Sequence, residues 1–153
     1  MEKTLNKIRK ELKEIADEHA QINEFFFGNY LDAISRNSAK YPLLVCIPQS
    51  GTIGDDYVDV NLQLIICDKY NESEYEQINE IYSDLLSVLN DIRITFKQMR
   101  HEEYLDVLTD TPVTPFDNRG HDLTAGWTAD LSLRVYSYGD WCSIPYDSYD
   151  FGN

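Results

Sequence analysis

Asp117, His121 and Asp122 fall together in one short stretch beside Gly120. Carboxylate and imidazole are the groups that hold a cation or pass a proton near neutral pH. The same residue types also serve a loop that hydrogen-bonds its own backbone, so the stretch by itself assigns no chemistry. His101 is followed by Glu102 and Glu103, but a helix fans such neighbours apart and a strand splits them between faces, and neither converges on a metal. His19 has Asp17 and Glu24 nearby, yet it lies on an apolar stripe, as a core histidine at a helix end does. Asp55, Asp56 and Asp59 lack the alternating oxygen ligands and closing Glu of a calcium loop. Phosphate-binding, dinucleotide, zinc-protease and serine-hydrolase motifs are all missing. No catalytic, cofactor-binding or metal-ligating residue is therefore assigned, and the chain reads as a non-enzyme.

Cys46 and Cys67 sit in apolar segments and Cys142 lies far downstream, an odd set with neither zinc spacing nor a disulfide framework. Reduced thiols and intracellular synthesis are expected. The 153 residues carry 27 acidic against 13 basic side chains, a net charge of −14. Such a surface repels phosphate backbones, so no specific nucleic-acid binding is expected. The bases Lys3, Lys7, Arg9, Lys10 and Lys13 are interleaved with Glu11 and Glu14, as on a solvated helix face. Neither a secretory h-region nor a run long enough to span a bilayer is present, and no membrane association is expected.

The elements that must position these residues follow from periodicity. Leu5, Ile8, Leu12, Ile15, His19 and Ile22 recur at helical steps and predict an amphipathic helix from Glu2 to about Asn23. Phe25, Phe26 and Phe27 with Gly28 and Asn29 are expected to end it, and three adjacent rings cannot all face one core. Tyr30–Ile34 reads as a short strand or a turn of helix. Tyr41–Pro48 is a strand between two prolines, Gln49–Asp56 a loop, and from Tyr57 a second strand alternates to Cys67, forming an antiparallel hairpin. Ile65 and Cys67 replace the polar outer positions, so that end should be covered on both faces. Tyr75 to Ile92 gives a second amphipathic helix, taken to about Asn90, with Ile94–Met99 open between helix and strand. His101–Leu108 is a short strand or helix, and Thr109–Thr124 an irregular crossing segment.

Leu123–Tyr136 has the clearest pattern: Trp127, Ala129, Leu131, Leu133 and Val135 alternate with Thr128, Asp130, Ser132, Arg134 and Tyr136. That is a strand with one buried face. The whole predicts an α+β fold, a mainly antiparallel sheet packed against two amphipathic helices. Residues 1–136 form one domain and 137–153, rich in Tyr, Asp and Ser, a C-terminal extension or docking arm.

These landmarks carry a resemblance. His19–Asn29 (H-A-Q-I-N-E-F-F-F-G-N), Tyr41–Val45 (Y-P-L-L-V), Thr114–Phe116 (T-P-F), Leu123–Val135 and Cys142–Pro145 (C-S-I-P) resemble the neck and tail-completion proteins of tailed bacteriophages. The likeness is greatest to a type found in phages and prophages of Bacteroidales-like hosts. The turn before the strand departs from the usual T-G-W-like pattern by an additional Ala125. The resemblance implies a tail-terminator-like fold and a structural virion protein, synthesised in the bacterial host cytoplasm, that forms a closed ring at the head-tail neck without cofactor. Its partners would be further copies of itself and other neck, portal or tail proteins. Phe25, Phe26, Phe27, Trp127, Tyr136 and Tyr138 are the expected interface residues, because buried rings contribute large desolvated area. The alternative is an acidic adaptor or immunity-type protein that masks a basic partner.

Overall fold

A computed structural model describes residues 4–35, 39–71, 76–98, 105–118 and 123–136. Among them the elements run α1 (Thr4–Glu18), β1 (Glu24–Phe27), α2 (Tyr30–Ser35), β2 (Leu43–Ile53), β3 (Tyr57–Lys69), α3 (Glu76–Gln98), β4 (Leu105–Val107), β5 (Val113–Asn118) and β6 (Thr124–Tyr136). The strands build one sheet in the order β1-β2-β3-β6-β4, with β5 also paired to β6. β1 is parallel to β2 and every other pairing is antiparallel, so the fold is α+β with a mixed sheet.

The sheet is organised on β3 and β6, paired without interruption from Tyr57↔Tyr136 to Lys69↔Thr124. Their alternation puts Leu62, Leu64, Ile66, Ala129, Leu131 and Leu133 on one face, where they are buried. α1 covers that face with Ile8, Leu12 and Ala16, and α3 with Leu85, Val88, Leu89, Ile92 and Phe96. Among the described residues the opposite face is covered only at one end. There Leu43, Val45, Ile65 and Cys67 pack with Ala33 of α2, Phe26 and Phe116. The double coverage expected at Ile65 and Cys67 thus comes from α2 and its neighbours.

Gly126 permits a close approach between β6 and β3. A Cβ built on it would lie 1.8 Å from the carbonyl oxygen of Ile66 on β3, far inside van der Waals contact.

Several boundaries differ from the sequence reading. The first helix stops at Glu18 and does not reach Asn23. Its last turn closes with the His19 amide on the Ile15 carbonyl at 2.9 Å, and by Asn23 the backbone bonds to Pro42 at the mouth of the sheet. Phe25–Phe27 do not end a helix but form β1, parallel to Leu44–Cys46. Aromatic side chains fit a pleated surface, and extension solves the problem of three adjacent rings: Phe25 and Phe27 pack on the main core, Phe26 on the second. Gly28 then takes φ +144°, a left-handed conformation that favours glycine, to leave the strand. The Asn29 side chain accepts the Leu31 amide at 2.8 Å and caps α2.

Gln49–Asp56 is not a loop throughout, since β2 runs to Ile53 with an irregularity between Pro48 and Ser50. Proline lacks the amide that a ladder needs, and a bulge accommodates it. Thr109–Thr124 contains β5, held to β6 from Val113↔Ala129 to Asn118↔Thr124. α3 continues through the ambiguous Ile94 region to Gln98 because Ile92 and Phe96, four residues apart, both face the core. Among the described residues no helix is long and apolar enough to cross a membrane.

Candidate functional site

Asp117 lies on β5 and is engaged by a hydroxyl of the protein itself. Tyr70 donates to its carboxylate at 2.5 Å. Around it Tyr82 of α3 donates to the Phe116 carbonyl at 3.1 Å, and the Trp127 indole donates to the Tyr82 carbonyl at 2.8 Å. The Tyr82 and Trp127 rings meet edge to face at 5.7 Å, and Tyr30 meets Phe116 at 6.3 Å. This seam ties β5, β6, α2 and α3 together at one end of the sheet. At its edge the Tyr30 and Thr124 hydroxyls are buried near each other but outside hydrogen-bonding geometry. Burial, with Cys67 close by, pushes the Tyr30 ionisation up to about 12. His121 and Asp122, the other members of the sequence cluster, lie outside the described residues, as do His101, Cys142, Tyr138 and the 137–153 extension. No cluster of three or more metal-ligating side chains occurs among the described residues.

His19 is a tie between elements. One ring nitrogen lies 3.0 Å from the Asp91 carboxylate on α3, and the other accepts the Gln21 amide at 3.1 Å. Cys46 and Cys67 are buried on opposite faces of the sheet, and burial pushes the Cys46 thiol up to about 12.

The aromatic residues expected at subunit contacts have definite places. Phe25, Phe26, Phe27 and Trp127 are all half-buried against their own core. Arg9 of α1 stands over the Phe27 ring at 5.6 Å. Tyr136 is exposed at the end of β6, opposite Tyr57.

Beyond the part covered by α2, the outer sheet face is a polar ladder. Asp59 pairs with Arg134 through two bonds of 2.7 and 2.9 Å, and the guanidinium stacks on Tyr57 at 3.8 Å. Asn61 bridges Ser50 and Ser132 in the next row of the same face. The hydrogen bonds from Arg134 hold the Asp59 carboxyl below its ordinary value of 3.8. A carboxyl depressed in the folded state contributes stability that is complete above the unfolded value and is lost as pH falls through the folded one. Asp59→Asn should therefore lower the melting temperature by a constant amount above pH 3.8 and by progressively less on further acidification. Melting curves of both proteins across that range check the sign, and a gap that widens in acid contradicts it.

Two concavities are lined by described residues. One, of about 240 Å³, lies between the α1–β1 turn and α3, with Asp68 and Asp84 in its lining. Burial raises the Asp68 ionisation and the nearby Asp84 charge adds to it, against a bond from the Lys69 amide. The other is a groove of about 380 Å³ lined by Leu86 and Arg93 from α3, Val113 from β5, and Leu64, Ala129 and Leu131 from the sheet. Arg93 donates to the Thr111 hydroxyl at 3.0 Å and to the Thr109 carbonyl at 3.1 Å, which fixes the segment before β5. Arg93 and Val113 are not singled out by sequence pattern, and Leu86, which reads as part of the apolar stripe of α3, is 39 % exposed. Leu86 and Arg93 stand seven residues apart on one helix face, but only the path of the 109–113 segment makes that face a groove.

No group of three or more His, Cys, Asp or Glu side chains converges at either concavity among the described residues. No protein-family model matches the chain, and no curated protein matches it significantly.

Proposed function

We propose that the chain is a structural subunit that assembles with copies of itself into a closed ring, and that the ring belongs to the head-tail neck of a tailed bacteriophage. The observation that carries the assembly reading is the edge of β2. β1 covers that strand only from Leu43 to Cys46, so from Ile47 to Ile53 no described strand lies against its outer side. An open edge offers backbone donors and acceptors to another chain. Pro48 and the bulge blunt its first part, while Ser50–Ile53 carries no charge and ends in Ile53, 85 % exposed. A subunit that joins an edge to a different surface of its neighbour repeats that contact until a ring closes.

The sequence landmarks from His19 to Pro145 support the neck reading and a tail-terminator-like role within it. A net charge of −14 suits a ring through which DNA slides without adhering, and tight binding to duplex DNA at physiological salt would count against it. Light scattering and native mass spectrometry test the assembly, with a single closed oligomer expected. Ile53→Lys should weaken assembly by roughly tenfold or more while changing folding stability by less than about 0.5 kcal/mol, because the side chain is exposed. A monomer at all concentrations, both alone and with neck proteins present, overturns the reading. The acidic outer surface of α3, with Glu76, Glu80, Asp84 and Asp91 exposed, favours a second reading as an adaptor for a basic partner. Recovery of a cationic toxin or nuclease from the native host, in place of virion components, would select it.

A further inference from the structure

The groove between α3 and β5 stands out chemically from the rest of the molecule. In a chain of net charge −14 its lining contains no carboxylate and one cation, Arg93. The described partners of that guanidinium are neutral oxygens of Thr109 and Thr111. Two bonds leave most of its five donors available to a carboxylate. Beside it Leu86 and Val113, 39 % and 37 % exposed, present apolar surface at the rim.

The groove calls for a segment that combines aromatic rings with a carboxylate. Residues 137–153 have that composition, with Asp140, Asp147 and Asp150, five aromatic side chains and no Lys or Arg. We propose that the groove receives Tyr146–Phe151 of a neighbouring copy, with the Asp147 carboxylate on Arg93 and the Tyr149 and Phe151 rings against Leu86 and Val113. In an extended segment residues 147, 149 and 151 share one side. Their span of four residues is roughly 13 Å at the strand rise, against roughly 10 Å along the helix from Arg93 to Leu86. Tyr136 lies five residues past Leu131, roughly 17 Å along the strand towards the hairpin turn, a distance that the ten residues from Tyr136 to Tyr146 can also span within one chain. The choice of a neighbouring copy therefore rests on the ring reading above, and the labelled mixture distinguishes the two.

The test uses the full chain with the photoreactive residue p-benzoylphenylalanine in place of Phe151, in a mixture of isotope-labelled and unlabelled protein. The expected product is a covalent dimer joining one copy's residue 151 to a peptide containing Leu86–Arg93 or Thr111–Val113 of the other. Asp147→Arg, outside the described fold, should lower the yield by roughly tenfold, and combining it with Arg93→Glu should restore it. Cross-links outside the groove, cross-links confined to one copy, or yields indifferent to both charge reversals overturn the proposal. Light scattering on the same samples separates the two ideas: an oligomer without groove cross-links removes this docking and leaves the ring, whereas a monomer removes both.

Discussion

Gly126→Ala should cost at least about 3 kcal/mol of folding stability, the upper end of what overpacking a well-packed interior costs. The added methyl would stand 1.8 Å from the Ile66 carbonyl oxygen and 2.8 Å from the Cys67 Cα, both backbone atoms of β3 near its C-terminal end. A flexible side chain could swing aside, but here the two central strands must separate. That movement disturbs the pairing on which β2, β4 and β5 also depend. Urea unfolding followed by circular dichroism gives the number directly. A loss below about 1 kcal/mol, within the range of ordinary substitutions, would show that the strands are not held this closely.

Phe96→Ala comes next, with an expected loss of about 3–5 kcal/mol. Phe96 is fully buried in the last turn of α3, in the cluster that contains Leu105 and Val107 of β4 and Val135 of β6. Truncation leaves a cavity between the helix end and the β4 side of the sheet, where Leu105, Val107 and Val135 lie. A companion change at Ile94, which is 46 % exposed on the same helix, should cost less than about 1 kcal/mol. Comparable losses at the two positions would place the C-terminal part of α3 in a different rotation.

The alternation of β6 and of β3 was legible because each buries one face along most of its length, so that polarity tracks geometry residue by residue. The helical stripe of α3 was legible for the same reason, although its end was not, since Ile94 and Phe96 alternate as a strand would. Phe25–Phe27 misled because β1 packs apolar rings on both faces and shows no alternation at all. β5 was hidden by Pro115 and by its charged end at Asp117, which a strand tolerates at an edge but which propensity alone argues against. The groove could not be read, because it depends on Arg93 reaching Thr109 and Thr111 across a turn with no periodicity of its own. Asp59–Arg134 was likewise invisible until the register of two strands 75 residues apart was known.

That separation shapes the order of folding. The β2–β3 hairpin and the parallel β1–β2 pair close over short stretches of chain and can form early, whereas the β3–β6 ladder must close a long loop containing α3, β4 and β5. During synthesis β3 is complete well before β6 exists. Over that interval the backbone edge of β3 that pairs with β6 has no strand beside it, the face carrying Leu62, Leu64 and Ile66 is incompletely covered, and a second nascent chain could pair there in place of β6. The length of time before β6 arrives, more than the stability of the finished sheet, then governs how much protein folds and how much aggregates.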